Sequence, residues 1–584
     1  MDDFKMVPLV KTINFTKAIF IMNFLLTISL RMIFKLPHLR KILLTCCSCI
    51  MMAIPFDIHA QPKDAAPGTP KLVVGIVVDQ MKYDYVFRFW NKFGEGGFKK
   101  LVNQGFFCKN ASYNFIPTYT APGHACIYTG TTPAVNGIIS NDWFCKDDGG
   151  STYCVQDTMV MPVGSNSGAG NMSPRNLLTT TVTDELRYSS NYKSKVISIS
   201  IKDRGAILPG GHSANAAYWF DGSNGHFISS TYYMKELPKW AGDFNALGLP
   251  AQYLSKPWNT LLPIEQYTES TADNTPYEEP FYKEALPVFP HNLPALKQGN
   301  FELVKRTPHG NTIVKEFAIA ALKNEKLGQS EATDFLAISF SSTDYVGHQF
   351  GCNAIETQDT YLRLDKDLEE LFSILEKTVG KQNVLIFLTA DHAAVPNPRY
   401  LKDHGVPAGL FDINAVQDSL NKFMTASYGA GNWIAGVYDD QVYFNKRLLD
   451  EKKIRLSEVS DRVAEFLLRF NGIAHVVTGG TLSTTEFTEP PLSLLQKGYN
   501  RKLSGDVLFL LSPGLIEYRE RGTTHGSPYT YDTHVPLFFY GWKVPQGSTS
   551  EEIMITDIAP TLSNWLNIEF PNGSTGRVIT SIIK

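Results

Sequence analysis

Net charge, basic blocks, internal repeats and long apolar runs are all missing from this sequence, and each absence closes a class of function. Lysine and arginine number 54 against 57 acidic residues, a formal net charge of −3 over 584 residues. So even a balance creates no global field for nucleic acid or anionic lipid, and no basic cluster creates a local one, so neither is expected as a partner. No apolar run reaches the ~20 residues that a spanning helix needs, so no stable membrane span is expected. Any anion must be held by a site built from particular side chains. Nothing in the composition calls for a second copy, and a monomer is expected.

Cysteine is scarce. Of eight, Cys46, Cys47 and Cys49 lie in the first sixty residues, leaving Cys108, Cys126, Cys145, Cys154 and Cys352. An odd number precludes complete pairing within the chain. Cys145 and Cys154 flank a short segment rich in Gly and Asp and could pair in an oxidising compartment. No Cys-x-x-Cys occurs among the five, so a thiolate zinc site is not expected.

The N-terminal sixty residues differ from the rest. Two uncharged apolar runs, Ala18 to Leu30 and Ile42 to Pro55, are separated by Arg31, Lys35, Arg40 and Lys41. The second run, preceded by basic residues and followed by Ile58-His59-Ala60, has the charged, apolar and small-residue order of a secretory signal. Cleavage is expected after Ala60, with Met32 as the start and a periplasmic or secreted product. Leu43-Leu44-Thr45-Cys46 is a poor lipobox, because Thr45 stands where a small residue is expected.

Beyond residue 60 the pattern alternates. Lys71 to Asp79 is a β-branched run closing on a carboxylate, which is how a strand buried on both faces reads. Val196 to Ile201 precedes Lys202, Phe335 to Phe340 precedes Asp344, and Val384 to Leu388 precedes Asp391. Helical patterns lie between, at Ile313 to Leu322 and Tyr361 to Leu375. Strands and helices alternating in this way predict an α/β fold with a mostly parallel sheet, whose ligands bind beyond the carboxyl ends of the strands. Residues 61–584 read as one domain, with insertions at about 205–310 and 395–505. The C-terminal Ile555 to Leu566 stretch reads as a packing helix.

The residues at the strand ends suit metal. Asp79 closes the first strand, Asp344 and His348 stand four apart on one helix face, Asp391 and His392 are adjacent, and His525 precedes a glycine. Carboxylates and imidazoles without thiolates fit two zinc ions, each with a position left open. A lone histidine is more often structural; six such groups at strand ends are not. In Tyr119-Thr120-Ala121-Pro122-Gly123-His124, an extended segment from Tyr113 to Tyr119 gives way to a helix. On position alone Thr120 reads as a cap; the functional alternative is a hydroxyl activated by the helix terminus and metal. His124 and His212 read as packing residues, and Trp240, Tyr253 and Trp258 receive no role.

The order Asp79, Thr120, Asp344, His348, Asp391, His392, His525 resembles the metal and nucleophile set of the alkaline phosphatase superfamily. With Asn141 and Lys202-Asp203-Arg204 it is similar to its threonine-nucleophile, phosphate-irrepressible bacterial members, from Lys71 to the C-terminal helix. The resemblance implies a three-layer α/β/α sandwich with inserted cap segments and a phosphate monoesterase of broad specificity acting through a phosphothreonine. It implies one Zn2+ on Asp344, His348 and His525, and a second on Asp79, Asp391, His392 and the Thr120 oxygen. Asn141, Lys202 and Arg204 would hold phosphoryl oxygens. His534 is the rival for the last ligand place, and the His-Gly pattern favours His525. Phosphodiesterase chemistry on the same scaffold is the alternative. The Lys202/Arg204 pair argues for monoesters, whose exposed charge is greater.

Overall fold

The structure, a computed structural model, describes residues 68–146 and 149–583. The targeting segment expected at 1–60 lies outside the described residues.

The central sheet has ten strands: β1 Leu72–Val78, β2 Phe106–Ser112, β3 Pro162–Val163, β4 Val196–Ser200, β5 Ala216–Asp221, β6 His226–Ser230, β7 Asp334–Phe340, β8 Val384–Thr389, β9 His534–Gly541 and β10 Gly547–Met554. Their order is β10-β2-β9-β8-β1-β7-β4-β5-β6-β3. The middle five, β8-β1-β7-β4-β5, are parallel throughout. Every residue of β1, β4, β7 and β8 is buried. That burial on both faces is why these stretches read as unbroken apolar runs rather than alternating ones.

Helices α1 Thr120–Thr129 and α2 Asp203–Gly210 pack together with the helix Ile558–Leu566, while α3 His309–Asn324, α4 Ser342–Phe350 and α5 Ile355–Thr378 form another group. The sandwich is a three-layer α/β/α arrangement. α3 and α5 contain the two helical stretches legible in the sequence, each extended by a few residues at either end.

The first insertion begins later than expected. Most of α2 and all of β5 and β6 fall within 205–310, yet β5 pairs in parallel with β4 as part of the central sheet. The aromatic-rich run Ala216 to Asp221 is wholly buried, so its Tyr, Trp and Phe are core residues of the main domain. Irregular chain with short helices follows β6 as far as α3. Within it Trp258 donates to Asp359 at 2.7 Å, Trp240 to Glu325 at 2.8 Å and Tyr253 to Glu316 at 2.9 Å, tying the segment to the α3 and α5 helices and the turn after α3. A separate four-stranded antiparallel sheet comes from Ile434–Tyr438, Gln441–Phe444, Ile473–Thr478 and Val507–Leu511, with its own apolar core. Among the described residues no helix is long and apolar enough to cross a membrane.

Cys145 and Cys154 are free thiols, as are Cys108, Cys126 and Cys352. The hairpin between them explains why. Its register pairs Asp142 with Tyr153 and Phe144 with Ser151, so Cys145 faces Gly150 at the turn while Cys154 faces Asn141 at the open end. Paired strands hold these two positions apart along their length.

Candidate active site

Four neighbouring parallel strands deliver the chemistry to one edge of the sheet. Asp79 follows β1, and Lys202 follows β4 and leads into α2. α4, which carries Asp344 and His348, starts two residues beyond β7, and Asp391 and His392 follow β8. His525 arrives from a distant loop and is held there by a hydrogen bond between its Nδ1 and the Thr118 carbonyl, 2.7 Å. Asp79, Asp391 and His392 form one group whose ligand atoms converge, and Asp344, His392 and His525 form another. His348 Nε2 lies 3.2 Å from Asp344 Oδ1, and His525 Nε2 lies 3.6 Å from the same oxygen. His392 therefore stands between the two groups, its ring stacked on that of His525 with centroids 3.5 Å apart.

The charges do not balance within the protein. Asp79, Asp344 and Asp391 are all buried, and the buried cation among them is Lys202, 2.8 Å from Asp79 and 2.6 Å from Asp344. Burial drives the Asp79 carboxyl well above its ordinary range, and the Asp391 charge adds to the effect. Burial acts in the same direction on Asp344, but the His348 and Lys202 charges outweigh it and hold Asp344 well below its usual value. Burial also lowers His392 and, more strongly, His525, which keeps both imidazoles neutral.

The tautomers are set by the backbone. Each of His348, His392 and His525 has Nδ1 against a carbonyl oxygen, of Thr523, Ala393 and Thr118 respectively. Nδ1 must carry the proton in each, so the neutral rings of His392 and His525 present an Nε2 lone pair toward the carboxylates. Asp79 Oδ1, Asp391 Oδ2 and His392 Nε2 are buried without a hydrogen-bond partner, and Asp79 Oδ2 has the Lys202 ammonium alone. Acceptors facing acceptors in a buried site repel one another unless a cation sits among them. Imidazole held by a backbone carbonyl is the ordinary second contact of a metal-bound histidine. The residues thus fit divalent metal.

Thr120 is the first residue of α1, not its cap; Tyr119 takes the cap position. The extended chain ends at β2, before Tyr113, so the entry into α1 is a loop rather than a strand. The Thr120 hydroxyl is free of capping duty and lies 3.2 Å from Lys202 Nζ. Asn141 Oδ1 accepts the Ala121 amide at 3.0 Å. Because that amide can only donate, the Asn141 NH2 is left as the free donor beside the start of the helix. Arg204 donates from Nη1 to the Tyr153 hydroxyl at 3.0 Å, and its Nε is buried without a partner. Gly123 is required by packing: a Cβ there would stand 2.2 Å from the Asp391 carbonyl oxygen. The first turn of α1 therefore rests directly on the backbone of Asp391.

Residues 73–526 match the model of the type I phosphodiesterase / nucleotide pyrophosphatase family. The chain belongs to this family. It is 47% identical over 551 residues to alkaline phosphatase PhoV of Synechococcus elongatus, covering 92% of this chain and 99% of that one. Against alkaline phosphatase PafA of Elizabethkingia meningoseptica the identity is 44% over 527 residues, 90% of this chain and 96% of the relative. The crystal structure of PafA superimposes with a TM-score of 0.86 over 88% of this chain and 99% of that one.

Within this family member, sequence reasoning missed two polar contributors. Gln80, in a left-handed conformation at φ 63°, receives no signal from its neighbours in sequence. Its amide donates to Asp391 Oδ1 at 3.1 Å and its Nε2 to Asp344 Oδ1 at 2.7 Å, linking the two metal groups. Asp439, at the tip of the second sheet's first hairpin, accepts hydrogen bonds from Ser140 and Tyr119. It ties the residue before Asn141 to the residue before Thr120. His124 packs as expected, with Nε2 against Ser339 and Nδ1 against the Thr120 carbonyl, both at 2.9 Å, and it also lies 3.3 Å from Asp391. His212 bonds the Thr179 carbonyl. His534 is stacked on Tyr83 and bonds the Lys109 carbonyl, away from the cluster that contains His525.

Proposed function

We propose that the chain is an exported, zinc-dependent alkaline phosphatase that hydrolyses phosphate monoesters through a phosphothreonine on Thr120. Kinship with PhoV and PafA, both named alkaline phosphatases, supports the activity. The observation that carries the mechanism is the Thr120 hydroxyl at the positive end of α1, 3.2 Å from a buried lysine and beside a cluster of unpartnered carboxylate and imidazole acceptors. Asp79, Asp391 and His392 would hold one Zn2+ with the Thr120 oxygen, and Asp344, His348 and His525 the other. Bound there, zinc supplies Lewis-acid stabilisation of the attacking and leaving oxygens.

The chain's own groups do the rest. Thr120 Oγ forms a bond to phosphorus as the bond to the leaving alcohol breaks, and water then attacks the phosphothreonine to release phosphate and restore the hydroxyl. The Lys202 ammonium lowers the cost of the Thr120 alkoxide. The Asn141 NH2, Lys202 and Arg204 take the phosphoryl oxygens, the guanidinium gripping two at once. A PafA variant of known structure carries substitutions at a Thr and an Asn 21 positions apart and at a Lys and an Arg two apart, the spacings of Thr120, Asn141, Lys202 and Arg204.

Two cations and an amide donor suit a monoester dianion better than a diester, which lacks one charged oxygen. The test is the ratio of kcat/KM for a phosphate monoester to that for its methyl diester, measured on zinc-loaded wild type and Lys202→Ala/Arg204→Ala. A monoester preference of orders of magnitude that collapses in the double variant is expected. A diester preference in the wild type would overturn the proposal in favour of phosphodiesterase chemistry.

A further inference from the structure

A cavity of about 390 Å³ opens beside the end of α4, with Arg306, Arg519, Gln349, Glu279, Glu302 and Phe281 among its walls. It adjoins the site through three contacts. Gln349 follows His348 directly on α4. Arg519 donates to the His348 carbonyl at 3.1 Å. The Tyr345 ring, next to Asp344, has the Lys202 ammonium 5.2 Å from its centroid and the Arg306 guanidinium 5.8 Å from it. A group held by Arg306 is therefore one aromatic ring away from a group held by Lys202.

The two arginines in the wall of this cavity have no carboxylate partner, although two glutamates share the wall. Its carboxylates are already served from outside its walls: Glu302 by Lys305 at 2.9 Å and Glu279 by Arg521 at 4.0 Å. Arg306 and Arg519 meet only neutral acceptors, Gln349 Oε1 and the His348 carbonyl, each at 3.1 Å. Two guanidiniums without carboxylate partners, facing one cavity, form a forked donor set for an anion. We infer that this cavity binds a second anionic group, phosphate-like or carboxylate, on the leaving alcohol, so that preferred substrates are phosphate monoesters bearing a further anion on the alcohol. The inference rests on the monoesterase reading of the adjoining site.

The test uses zinc-loaded full-length protein and three monoesters of one chain length: pentyl phosphate, 5-carboxypentyl phosphate and 5-phosphonopentyl phosphate. In wild type, the anion-terminated esters should exceed pentyl phosphate in kcat/KM by ~10-fold or more, the range expected of a charge-assisted contact. Arg306→Ala/Arg519→Ala should bring that ratio close to unity while pentyl phosphate hydrolysis moves by less than ~3-fold, and Arg306→Lys/Arg519→Lys should keep part of it. The same ratio in wild type and the Ala variant would overturn the inference. Calorimetric binding of pentane-1,5-diphosphonate against pentylphosphonate gives the answer without turnover. A wild-type preference for the diphosphonate that the Ala variant loses supports the cavity even if no ester is hydrolysed, a result that would sink the monoesterase reading alone. Equal affinities in wild type would refute the cavity's role whatever the enzyme does.

Discussion

The Lys202 ammonium stands 3.2 Å from the Thr120 hydroxyl, although 82 residues separate the two in the chain. Under the proposed mechanism, an ammonium so placed would stabilise an oxyanion on Thr120. Lys202→Ala should lower kcat/KM for a monoester by ~10²–10³, typical of removing one preorganised electrostatic contact. It should also move the ascending limb of the pH–rate profile to higher pH. Thr120→Ala should abolish the acid-stable phosphoenzyme seen by intact-mass measurement after rapid quench, and Thr120→Ser should restore it. Phosphoenzyme in the Ala variant would assign the nucleophile elsewhere.

Three buried carboxylates around a single ammonium are held together against their own repulsion. Chelation should therefore lower Tm, and zinc should restore it. At a thousandfold excess over Kd the stabilisation from one site is about 4 kcal/mol. Calorimetry with and without chelator, paired with elemental analysis expecting two zinc per chain, checks this. An unchanged Tm on full chelation would contradict the metal assignment.

Gly123→Ala forces a Cβ against the Asp391 carbonyl, 2.2 Å away, and backbone cannot yield as a flexible side chain would. The expected result is loss of zinc from the Asp79, Asp391 and His392 group and a fall in stability of roughly 1–3 kcal/mol from overpacking. Zinc stoichiometry and denaturant midpoint measure the two separately.

Buried His291 bonds Glu284 at 2.8 Å and Glu356 at 3.2 Å. Burial opposes its protonation, but the two carboxylates prevail and lift its pKa to about 9. A raised histidine contributes stability that is complete below its unfolded value, near 6.5, and fades as pH rises through about 9. His291→Gln should therefore cost on the order of 2–3 kcal/mol at pH 6 and far less at pH 10, read from urea midpoints. A penalty independent of pH would show that the contribution is packing alone.

The five free thiols among the described residues predict indifference to reductant. Cys145 is half-buried and Cys154 fully so. Under native conditions Cys145 should react first with iodoacetamide, Cys154 only on unfolding, and Tm should be the same with and without dithiothreitol. A reductant-sensitive Tm would point to a pairing absent from this structure.

Much was written locally. β1, β4, β7 and β8 were legible because a parallel strand covered on both faces must be apolar at every position, so composition alone marks it. The polar residue after each run was legible for the same reason: the strand ends where the sheet edge meets solvent or ligand. Asp344 and His348 could be paired from their spacing, since four residues on a helix span one turn. Other features were set by contacts between distant segments. His525 rather than His534 joins the cluster because its ring bonds the Thr118 carbonyl across 407 residues, and Gly526 at φ 126° lets that loop lie against Tyr119. Gln80 serves two carboxylates 264 and 311 residues away, and Asp439 clasps Ser140 from 299 residues away. Burial of the Ala216 to Asp221 run in the central sheet, and the hairpin register that separates Cys145 from Cys154, belong to the same class. Strand, helix and residue type depend largely on near neighbours and periodicity, so the linear chain carries much of them. Which acceptors converge depends on where a segment folded elsewhere comes to rest, and no local stretch of sequence encodes that.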